Sequence, residues 1–262
     1  MTGSPFPAEA LALAGRLADA AGAVIRPHFR TGVAIVDKAD ESPVTIADRD
    51  AEAAMRQLIE DAFPEHGILG EEHGSVRLDA EFVWVLDPID GTKAFISGLP
   101  VFGTLIALLH GGRPVLGVID QPISGERWLG AEGRGTTLNG RPVHARACER
   151  LDRATLFATA PDMFKGEEIA AFERLRGSVK LMRWGADCYA TAMVASGHAD
   201  LVVESSLQPY DFCALAPVIE GAGGIATDWE GRPLRIDSGR RSAIAGDRRA
   251  HAAALEALAW HA

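Results

Sequence analysis

The stretch from Phe82 to Pro100 constrains the fold and function of this chain more than any other. Phe82 to Leu86 is a short, continuous run of apolar and aromatic residues, which is typical of a strand buried on both faces. The run ends abruptly in DPIDGT at residues 87–92, where two carboxylates lie three residues apart beside a proline. Open α/β sheets place their ligands at such strand ends. The stretch therefore predicts a ligand site where a buried strand meets solvent.

Two other interpretations of DPIDGT are open at this point. Asp-Pro-x-Asp-Gly is good turn chemistry, because proline fixes φ at the second turn position and Asp-Gly tolerates positive φ, so the segment could be a plain reverse turn between two strands. D-x-D-G-T marks phosphatases with an aspartyl nucleophile, but Asp87 and Asp90 stand three residues apart, not two. Glu71 upstream and Asp211 far downstream favour the ligand site.

The composition indicates a globular chain without a membrane span. The 262 residues are 47% apolar and 24% charged, and no apolar run approaches the ~20 residues that cross a bilayer. The formal charge of −10 argues against nucleic acid or an anionic membrane as a partner, since both bind basic surfaces. The N-terminus lacks the basic start and apolar core of a signal peptide, and the three cysteines show no paired spacing. We therefore expect a cytoplasmic protein with reduced cysteines.

Apolar runs and amphipathic stretches alternate along the chain, which is typical of α/β proteins. The length suits one large domain or two closely packed lobes, and the polar, basic region 136–153 is a suitable boundary. We expect an N-terminal α/β lobe over residues 1–145, with most of the metal ligands, and a C-terminal α/β lobe over residues 146–262, with Asp211 and the substrate-selecting residues.

The predicted elements follow from hydrophobic periodicity and turn signals. Pro27 predicts a break in the last turn of the first helix, and Asn139-Gly140 predicts a hairpin. Helices are predicted at 8–29, 47–62, 166–176, 186–196, 212–221 and 247–260, and strands at 68–69, 82–86, 105–109, 115–119, 127–129, 155–158, 179–182, 201–203 and 225–227.

Thr45-x-x-Asp48 has the form of a helix N-cap pair, and the helix that follows carries an apolar face. By local sequence alone, Asp48 is best explained as a capping residue. Glu52 and Arg56 are predicted to form an i,i+4 pair on the other face of this helix. Residues 33–43, just before it, are polar and are expected to form a short mobile loop.

If Glu71, Asp87, Asp90 and Asp211 converge, their charges repel and raise one another's pKa, so the site is stable only with bound cations. Ligation by oxygen alone suits Mg²⁺ or Mn²⁺ and not zinc. Such cations would turn an anion-repelling cleft into a phosphate-binding one, activate a water and stabilise the leaving oxygen. Gly91 lets the backbone approach a phosphate, and the Thr92 hydroxyl is suited to orient the attacking water. The chemistry predicted is hydrolysis of a phosphate ester without a covalent intermediate.

These residues lie in motifs that resemble the signatures of the inositol monophosphatase family. The motifs are Gly70-Glu71-Glu72, the segment from Trp84 to Thr92, Pro209-Tyr210-Asp211-x-x-Ala214 and, upstream, Ser42-Pro-Val-Thr-Ile-Ala-Asp48. The resemblance covers essentially the whole chain. It implies a layered αβαβα fold, lithium-sensitive dependence on two or three Mg²⁺ ions per site, with Mn²⁺ as a substitute, and a homodimer.

The resemblance also implies roles for single residues. Thr92, helped by Asp48 or Glu71, would orient the water. The resemblance thus implies a functional role for Asp48 in addition to helix capping. Glu204 matches a substrate-contacting glutamate of the family. The alternative interpretation, from the local sequence alone, is that Glu204 is a solvated residue at the end of a strand. The implied metal ligands are Glu71, Asp87, the Ile89 carbonyl, Asp90 and Asp211; the catalytic residues are Glu71, Thr92, Asp48 and Asp87; the substrate contacts are Gly91, Thr92, Arg183, Asp187 and Glu204.

Three segments resemble the histidinol-phosphate phosphatase branch more than the inositol branch: Thr92 to Pro100, Arg183 to Tyr189 and Glu204 to Asp211. Asp187 stands where inositol phosphatases carry a small residue. We expect Asp187 and Glu204 to recognise the ammonium and imidazole of histidinol phosphate at the end of the cleft away from the metals. The alternative is that Asp187 caps the helix 186–196.

The sequence therefore predicts a cytoplasmic, Mg²⁺-dependent histidinol-phosphatase that hydrolyses L-histidinol phosphate to L-histidinol and phosphate, late in histidine biosynthesis. Hydrolysis of inositol 1-phosphate, fructose 1,6-bisphosphate or a nucleotide 3′-phosphate is the alternative within the same family. A binding or regulatory protein without catalysis is the alternative outside enzymology, and the intact set of carboxylates disfavours it.

Overall fold

The structure is a computed structural model that describes residues 6–32, 35–37 and 43–259. Most of the loop predicted at 33–43, with Ser42 of the upstream motif, therefore lies outside the described residues. The loop prediction was wrong for Ile35–Asp37, which form a strand paired antiparallel with Pro43–Thr45. The first helix ends two residues before Pro27, as the proline predicts, and continues as a 3-10 turn at Arg26–His28. The elements of this part are α1 (Ala8–Ile25), β1 (Ile35–Asp37), β2 (Pro43–Thr45) and α2 (Ile46–Ala62).

The middle of the chain forms an eight-stranded mixed sheet. Its elements are β3 (Gly67–Gly70), β4 (Gly74–Val76), β5 (Phe82–Asp90), the short helix α3 (Thr92–Ile96), β6 (Gly103–His110), β7 (Arg113–Gln121), β8 (Glu126–Ala131), β9 (Gly135–Leu138) and β10 (Arg141–Pro142). The strand order is β10-β9-β8-β7-β6-β5-β3-β4, with β3 and β5 parallel and β5 and β6 antiparallel. Asn139-Gly140 forms the predicted hairpin turn between β9 and β10.

The rest of the chain forms a five-stranded sheet of order β12-β11-β13-β15-β14. Its elements are β11 (Thr155–Ala158), α4 (Glu167–Ser178), β12 (Leu181–Trp184), α5 (Asp187–Ala195), β13 (Leu201–Glu204), α6 (Pro209–Phe212), α7 (Leu215–Gly221), β14 (Ile225–Thr227), β15 (Ser242–Ala245) and α8 (Arg248–Leu258). In this part of the chain, two predictions were wrong in detail and one strand was missed. The helix predicted at 212–221 is two helices, β12 begins two residues later than predicted, and β15 was not predicted at all.

The apolar clusters define five layers, which confirms the predicted αβαβα architecture. On β5, Trp84 and Leu86 pack against α1 and α2, whereas Val83 and Val85 point to the opposite face. That face packs on α5 and α7, which also contact the inner face of the small sheet. Helices α4 and α8 cover its outer face. The central cluster joins both sheets, and the lobe division at 145 and 146 falls in the connection between them and stays a prediction.

The layering explains why the strand ends matter. Because β3 and β5 are parallel, Glu71, which follows β3, and Asp87, near the end of β5, come to the same edge of the sheet. The pairing of β5 with β6 shifts register between Asp87 and Asp90. Pro88 lies inside this irregularity, where it need not donate a ladder hydrogen bond.

Candidate active site

Three aspartates meet at this edge of the large sheet. One carboxylate oxygen from each of Asp87, Asp90 and Asp211 lies within 4.8 Å of the other two. Asp211 comes from α6, 121 residues after Asp90 in the chain, so only the fold brings the three together. The structure thus places three of the predicted metal ligands in one cluster.

The end of β5 is not a plain reverse turn between two strands. The strand runs to Asp90, and Gly91 at φ +89° turns the chain into α3. The Thr92 hydroxyl donates to the Ile89 carbonyl oxygen at 3.2 Å. The predicted metal-binding carbonyl and the predicted water-orienting hydroxyl are therefore neighbours.

Backbone N–H groups hold the three carboxylates. Asp87 Oδ1 accepts the N–H of Ile89 at 3.1 Å, and Asp90 Oδ2 accepts the N–H of Cys188 at 2.6 Å. Asp211 Oδ2 accepts the N–H of Gln208 at 2.7 Å, as the third residue of a capping box. No Lys or Arg of the described residues forms an ion pair with any of the three.

Asp48 has the capping role that its local sequence predicts. Its Oδ2 accepts both the N–H of Thr45 at 2.8 Å and the Thr45 hydroxyl at 2.6 Å, which completes the capping box of α2. The side chain is buried, and burial raises its pKa, with a smaller contribution from the charge of Glu71. Asp48 is thus a capping residue within the electrostatic reach of Glu71, and its part in orienting water stays a prediction.

Burial and mutual repulsion raise the pKa values in the cluster. The pKa of Asp87 lies well above the usual range because of burial, then the charges of Glu71, Asp90 and Asp211, and a hydrogen bond with Glu71. The pKa of Asp90 is raised by burial and by the charges of Asp187 and Asp211. Burial is also the main cause that raises the pKa of Asp211 to about 7. Each of these carboxylates is thus costly to ionise unless a cation is bound.

The donor atoms suit a hard divalent cation. Oxygen ligands with few geometric constraints bind Mg²⁺ or Mn²⁺, whereas zinc prefers thiolate and imidazole. Among the described residues, the cluster consists of three aspartates and includes no cysteine or histidine. The residues therefore fit the predicted cation and not a softer one.

Asp187 does not cap its helix. Helix α5 begins at Asp187 itself, its N-cap is Ala186, and that residue makes no side-chain cap hydrogen bond. Instead, the Asp187 carboxylate lies against Gly91: a Cβ added to Gly91 would sit 2.8 Å from Asp187 Cγ. The expected position, away from the metals, was wrong for Asp187, because this contact places it directly beside the acidic cluster. Burial raises the pKa of Asp187 to about 6, and the charge of Lys93 opposes the rise.

Glu204 ends β13 and is not a solvated strand end. It is 6% exposed, and its Oε1 accepts the Thr159 hydroxyl at 2.5 Å. Burial raises its pKa to about 7, with a contribution from the charge of Asp187. Glu204 also contributes to the raised pKa of Asp211. Asp187 and Glu204 therefore share one electrostatic environment with the cluster.

The remaining predicted contact, Arg183, lies on β12, the edge strand of the small sheet, and is exposed. Within the part of the chain that the structure describes, its side chain forms no hydrogen bond or ion pair with another predicted site residue, and its role stays a prediction. Two residues that sequence reasoning missed are Lys93, whose charge reaches Asp187, and Thr159, which binds Glu204. Lys93 directly follows the DPIDGT motif and could have been noticed. Thr159 follows β11 and carries no local signal.

On α2, the largest difference between the prediction and the structure concerns Glu52. The predicted pair with Arg56 exists at 2.7 Å, but the Glu52 side chain is fully buried. It accepts backbone N–H groups from Glu72 and His73, directly after Glu71. Asp48 and Glu52 are four residues apart and share a helix face, but the local sequence does not show that this face is buried.

Comparison with known proteins agrees with this geometry. The sequence profile of the inositol monophosphatase family matches residues 7–262. The chain is 52% identical over 259 residues to the bifunctional phosphatase IMPL2, chloroplastic, of Arabidopsis thaliana, covering 95% of this chain and 75% of that protein. It is 38% identical over 229 residues to a histidinol-phosphatase of Chlorobaculum parvum, covering 87% of this chain and 88% of the relative.

Solved structures agree as well. An inositol monophosphatase from Zymomonas mobilis superposes with a TM-score of 0.88 at 49% sequence identity, over 95% of this chain and 97% of that one. This chain belongs to the inositol monophosphatase family. The family consists of metal-dependent phosphatases, and the acidic cluster of this chain could hold a metal ion. The chain is similar to both histidinol-phosphatases and inositol monophosphatases. No helix among the described residues is both long enough and apolar enough to span a bilayer.

Proposed function

We propose that this chain is a Mg²⁺-dependent histidinol-phosphatase, which hydrolyses L-histidinol phosphate to L-histidinol and phosphate in histidine biosynthesis. The observation that carries the proposal is the Asp187 carboxylate against Gly91, where it is not used to cap its helix. Gly91 is the expected phosphate contact, so a substrate phosphate there brings the rest of the substrate near Asp187. A carboxylate at that place suits an ammonium group better than a ring of hydroxyls.

The proposed ligands of the cations are Glu71, Asp87, the Ile89 carbonyl, Asp90 and Asp211. Two or three Mg²⁺ ions, or Mn²⁺, would neutralise these groups and polarise the phosphate and the attacking water. The N–H groups of Gly91 and Thr92 contact the phosphate oxygens. The Thr92 hydroxyl orients the water, and Glu71 or Asp48 accepts its proton. The buried position of Asp48 and Asp87 keeps both carboxylates in place and away from bulk water.

Asp187 and Glu204 are the proposed selectors of the cationic substrate. Neither carboxylate belongs to the proposed ligand set, yet their charges reach the cluster. Lys93 offsets part of the charge of Asp187, and an ammonium and a protonated imidazole would offset the rest together with the charge of Glu204. Arg183 remains a proposed substrate contact. A homodimer and a cytoplasmic location are proposed as well, although the Arabidopsis relative is named as chloroplastic; molar mass by light scattering tests the dimer.

Inositol 1-phosphate is the alternative substrate, favoured by the similarity to the Zymomonas enzyme. Phosphate release from histidinol phosphate, inositol 1-phosphate and fructose 1,6-bisphosphate, each with Mg²⁺, decides between them. We expect the highest kcat/KM with histidinol phosphate. A higher value with inositol 1-phosphate would replace the proposed substrate, and no turnover of any phosphate ester would favour a regulatory protein.

The variant Asp187→Asn tests the selector directly. Asp187 has a φ of +42°, which asparagine tolerates and alanine does not, so this change removes the charge with little backbone strain. We expect kcat/KM for histidinol phosphate to fall by about ten- to a hundredfold, the usual effect of losing a charged hydrogen bond. Glycerol phosphate carries no cation, and its kcat/KM should stay within about twofold. An unchanged ratio between the two substrates would contradict the role of Asp187.

A further inference from the structure

Glu52 holds the backbone just after the proposed metal ligand Glu71. The Glu52 side chain is 0% exposed and lies on α2, one turn after Asp48. Its Oε2 accepts the N–H of Glu72 at 2.7 Å, and its Oε1 accepts the N–H of His73 at 3.1 Å. Both carboxylate oxygens are therefore used to fix the turn between β3 and β4.

Gly70 shows how closely the carboxylate approaches this turn. A Cβ added to Gly70, the last residue of β3, would lie 2.0 Å from Glu52 Oε1 and 2.3 Å from its Cδ. Real side chains do not tolerate such contacts, so the space that any other residue would need at position 70 is occupied by the Glu52 carboxylate. The φ of Gly70 is not positive, so the backbone conformation does not require glycine here. Glycine is required because the Glu52 carboxylate approaches so closely.

The turn is held from other directions as well. The N–H of Glu71 donates to the Leu86 carbonyl at 3.2 Å, which ties the ligand to β5. Arg56 pairs with Glu52 and also donates to the Gly74 carbonyl, at the start of β4. Glu71 thus lies between a fixed strand and a turn whose next two N–H groups are bound by one buried carboxylate.

We infer that Glu52 is a positioning residue for the cation site: it holds the 71–73 turn so that the Glu71 carboxylate faces Asp87. The inference rests on the proposed function only in taking Glu71 as a metal ligand. Partners that orient metal ligands commonly contribute ten- to a hundredfold to metal affinity. Glu52 acts in this way through the backbone, without touching substrate or ion.

Binding of Mn²⁺, measured by electron paramagnetic resonance of the free ion, tests the inference without relying on turnover. Glu52→Gln keeps the size of the side chain but replaces one acceptor oxygen by an NH₂ group that faces a backbone N–H. Glu52→Asp keeps the charge but withdraws both oxygens by one methylene. We expect each variant to raise the Kd for Mn²⁺ by about ten- to a hundredfold, and the Mg²⁺ concentration for half-maximal activity to rise with it.

Asp200→Asn is the matched control. Asp200 is also a buried carboxylate, 2% exposed, that accepts a backbone N–H, from Thr155 at 2.7 Å, and pairs with an arginine, Arg146. It lies in the small sheet region, away from the 71–73 turn. We expect Asp200→Asn to lower the unfolding temperature while its Kd for Mn²⁺ stays within about twofold of the wild-type value.

The outcomes distinguish a positioning role of Glu52 from a role of its charge and from a role in folding stability alone. A wild-type Kd in Glu52→Asp together with a raised Kd in Glu52→Gln would overturn positioning in favour of charge. Equal increases in Asp200→Asn would reduce Glu52 to a stability role. If Glu71→Gln binds Mn²⁺ as the wild type does, Glu71 is not a metal ligand. Both the positioning role of Glu52 and the proposed ligand set would then be wrong. If only the substrate panel contradicts histidinol phosphate, the role of Glu52 stands.

Discussion

Buried aspartates occur in two regions of this protein, and they are neutralised in different ways. Asp200 lies 2% exposed in the small-sheet region, with both oxygens bonded to the Arg146 guanidinium at 2.7 and 2.6 Å. Asp228, after β14, pairs with Arg232 in the same way, and Asp120, on β7 of the large sheet, pairs with Arg127. Asp87, in the cluster, is equally buried but accepts a backbone N–H instead, and its charged neighbours are other carboxylates. The same side chain is therefore satisfied within the chain in one region and left for an external cation in the other.

Asp247 and Asp90 show opposite pKa shifts. Hydrogen bonds from Arg249 lower the pKa of Asp247, at the start of α8, well below its usual value. At the cluster, burial and repulsion raise the pKa of Asp90 well above it. The ionised Asp247 carboxylate therefore stabilises the folded chain at neutral pH, whereas the ionised Asp90 carboxylate destabilises it until a cation binds.

The largest expected effect comes from breaking the cluster. Asp90→Asn removes a charged ligand, so kcat/KM should fall at least about a thousandfold, which corresponds to several kcal/mol of transition-state stabilisation. Without Mg²⁺ the variant should be no less stable than the wild type, because one repulsive charge is gone. Phosphate release and thermal unfolding measure the two effects.

Asp200→Asn provides the contrast to Asp90→Asn. This variant should be less stable than the wild type but keep kcat/KM within about threefold, because the Asp200 carboxylate pairs with an arginine and not with a bound metal ion. Turnover near the wild-type rate in Asp90→Asn at millimolar-scale Mg²⁺ would remove the difference between the two regions. It would also remove Asp90 from the ligand set.

A smaller effect is expected at Thr92. Thr92→Val keeps the shape but removes the hydroxyl, and kcat should fall about a hundredfold while KM changes little, as for a group that orients the attacking water. The matched control is Thr136→Val, a buried threonine whose hydroxyl donates to the Val218 carbonyl at 2.7 Å, away from the site. A rise in KM alone in Thr92→Val would make this hydroxyl a phosphate contact.

Metal removal tests whether the cluster is neutralised from outside. At a Mg²⁺ concentration a hundred times its Kd, the free energy of unfolding should rise by about 2.7 kcal/mol over the metal-free protein. That gain should disappear in Asp211→Asn and persist in Asp200→Asn. Urea unfolding with Mg²⁺ and with EDTA measures it, and an equal gain in both variants would mean that the ion binds elsewhere.

The smallest effect is expected at Asp247. Its folded-state pKa is lowered, so its stabilisation is present above the pKa of the unfolded chain and is lost as the pH falls through the folded value. Asp247 also caps α8 by accepting the N–H of Arg249 at 2.8 Å. Asp247→Asn should therefore lower the free energy of unfolding by about 1 kcal/mol at pH 7. The difference should shrink below about pH 4, where the unfolded chain protonates this group; a constant difference would leave only the capping contribution.

Local sequence determined much of the frame. The apolar run of β5, the DPIDGT segment after it and the Thr45/Asp48 capping box were all predicted from neighbouring residues, and β11 and β14 have the predicted bounds. These features depend on interactions within a few residues, such as side-chain periodicity, turn chemistry and capping. The carboxylate chemistry likewise indicated a hard divalent cation before any geometry was known.

Only the tertiary structure decided what those residues face. Helix periodicity placed Glu52 opposite the apolar stripe, but whether that side meets water or Gly70 depends on how α2 packs over β3. Asp187 was a capping residue or a selector by sequence, and its contact with Gly91, 96 positions earlier, settles its place beside the cluster. Asp87 and Asp211 meet for the same reason. Contacts of this kind join distant segments, and because side-chain burial and long-range charge arise from packing between layers, no local pattern carries them.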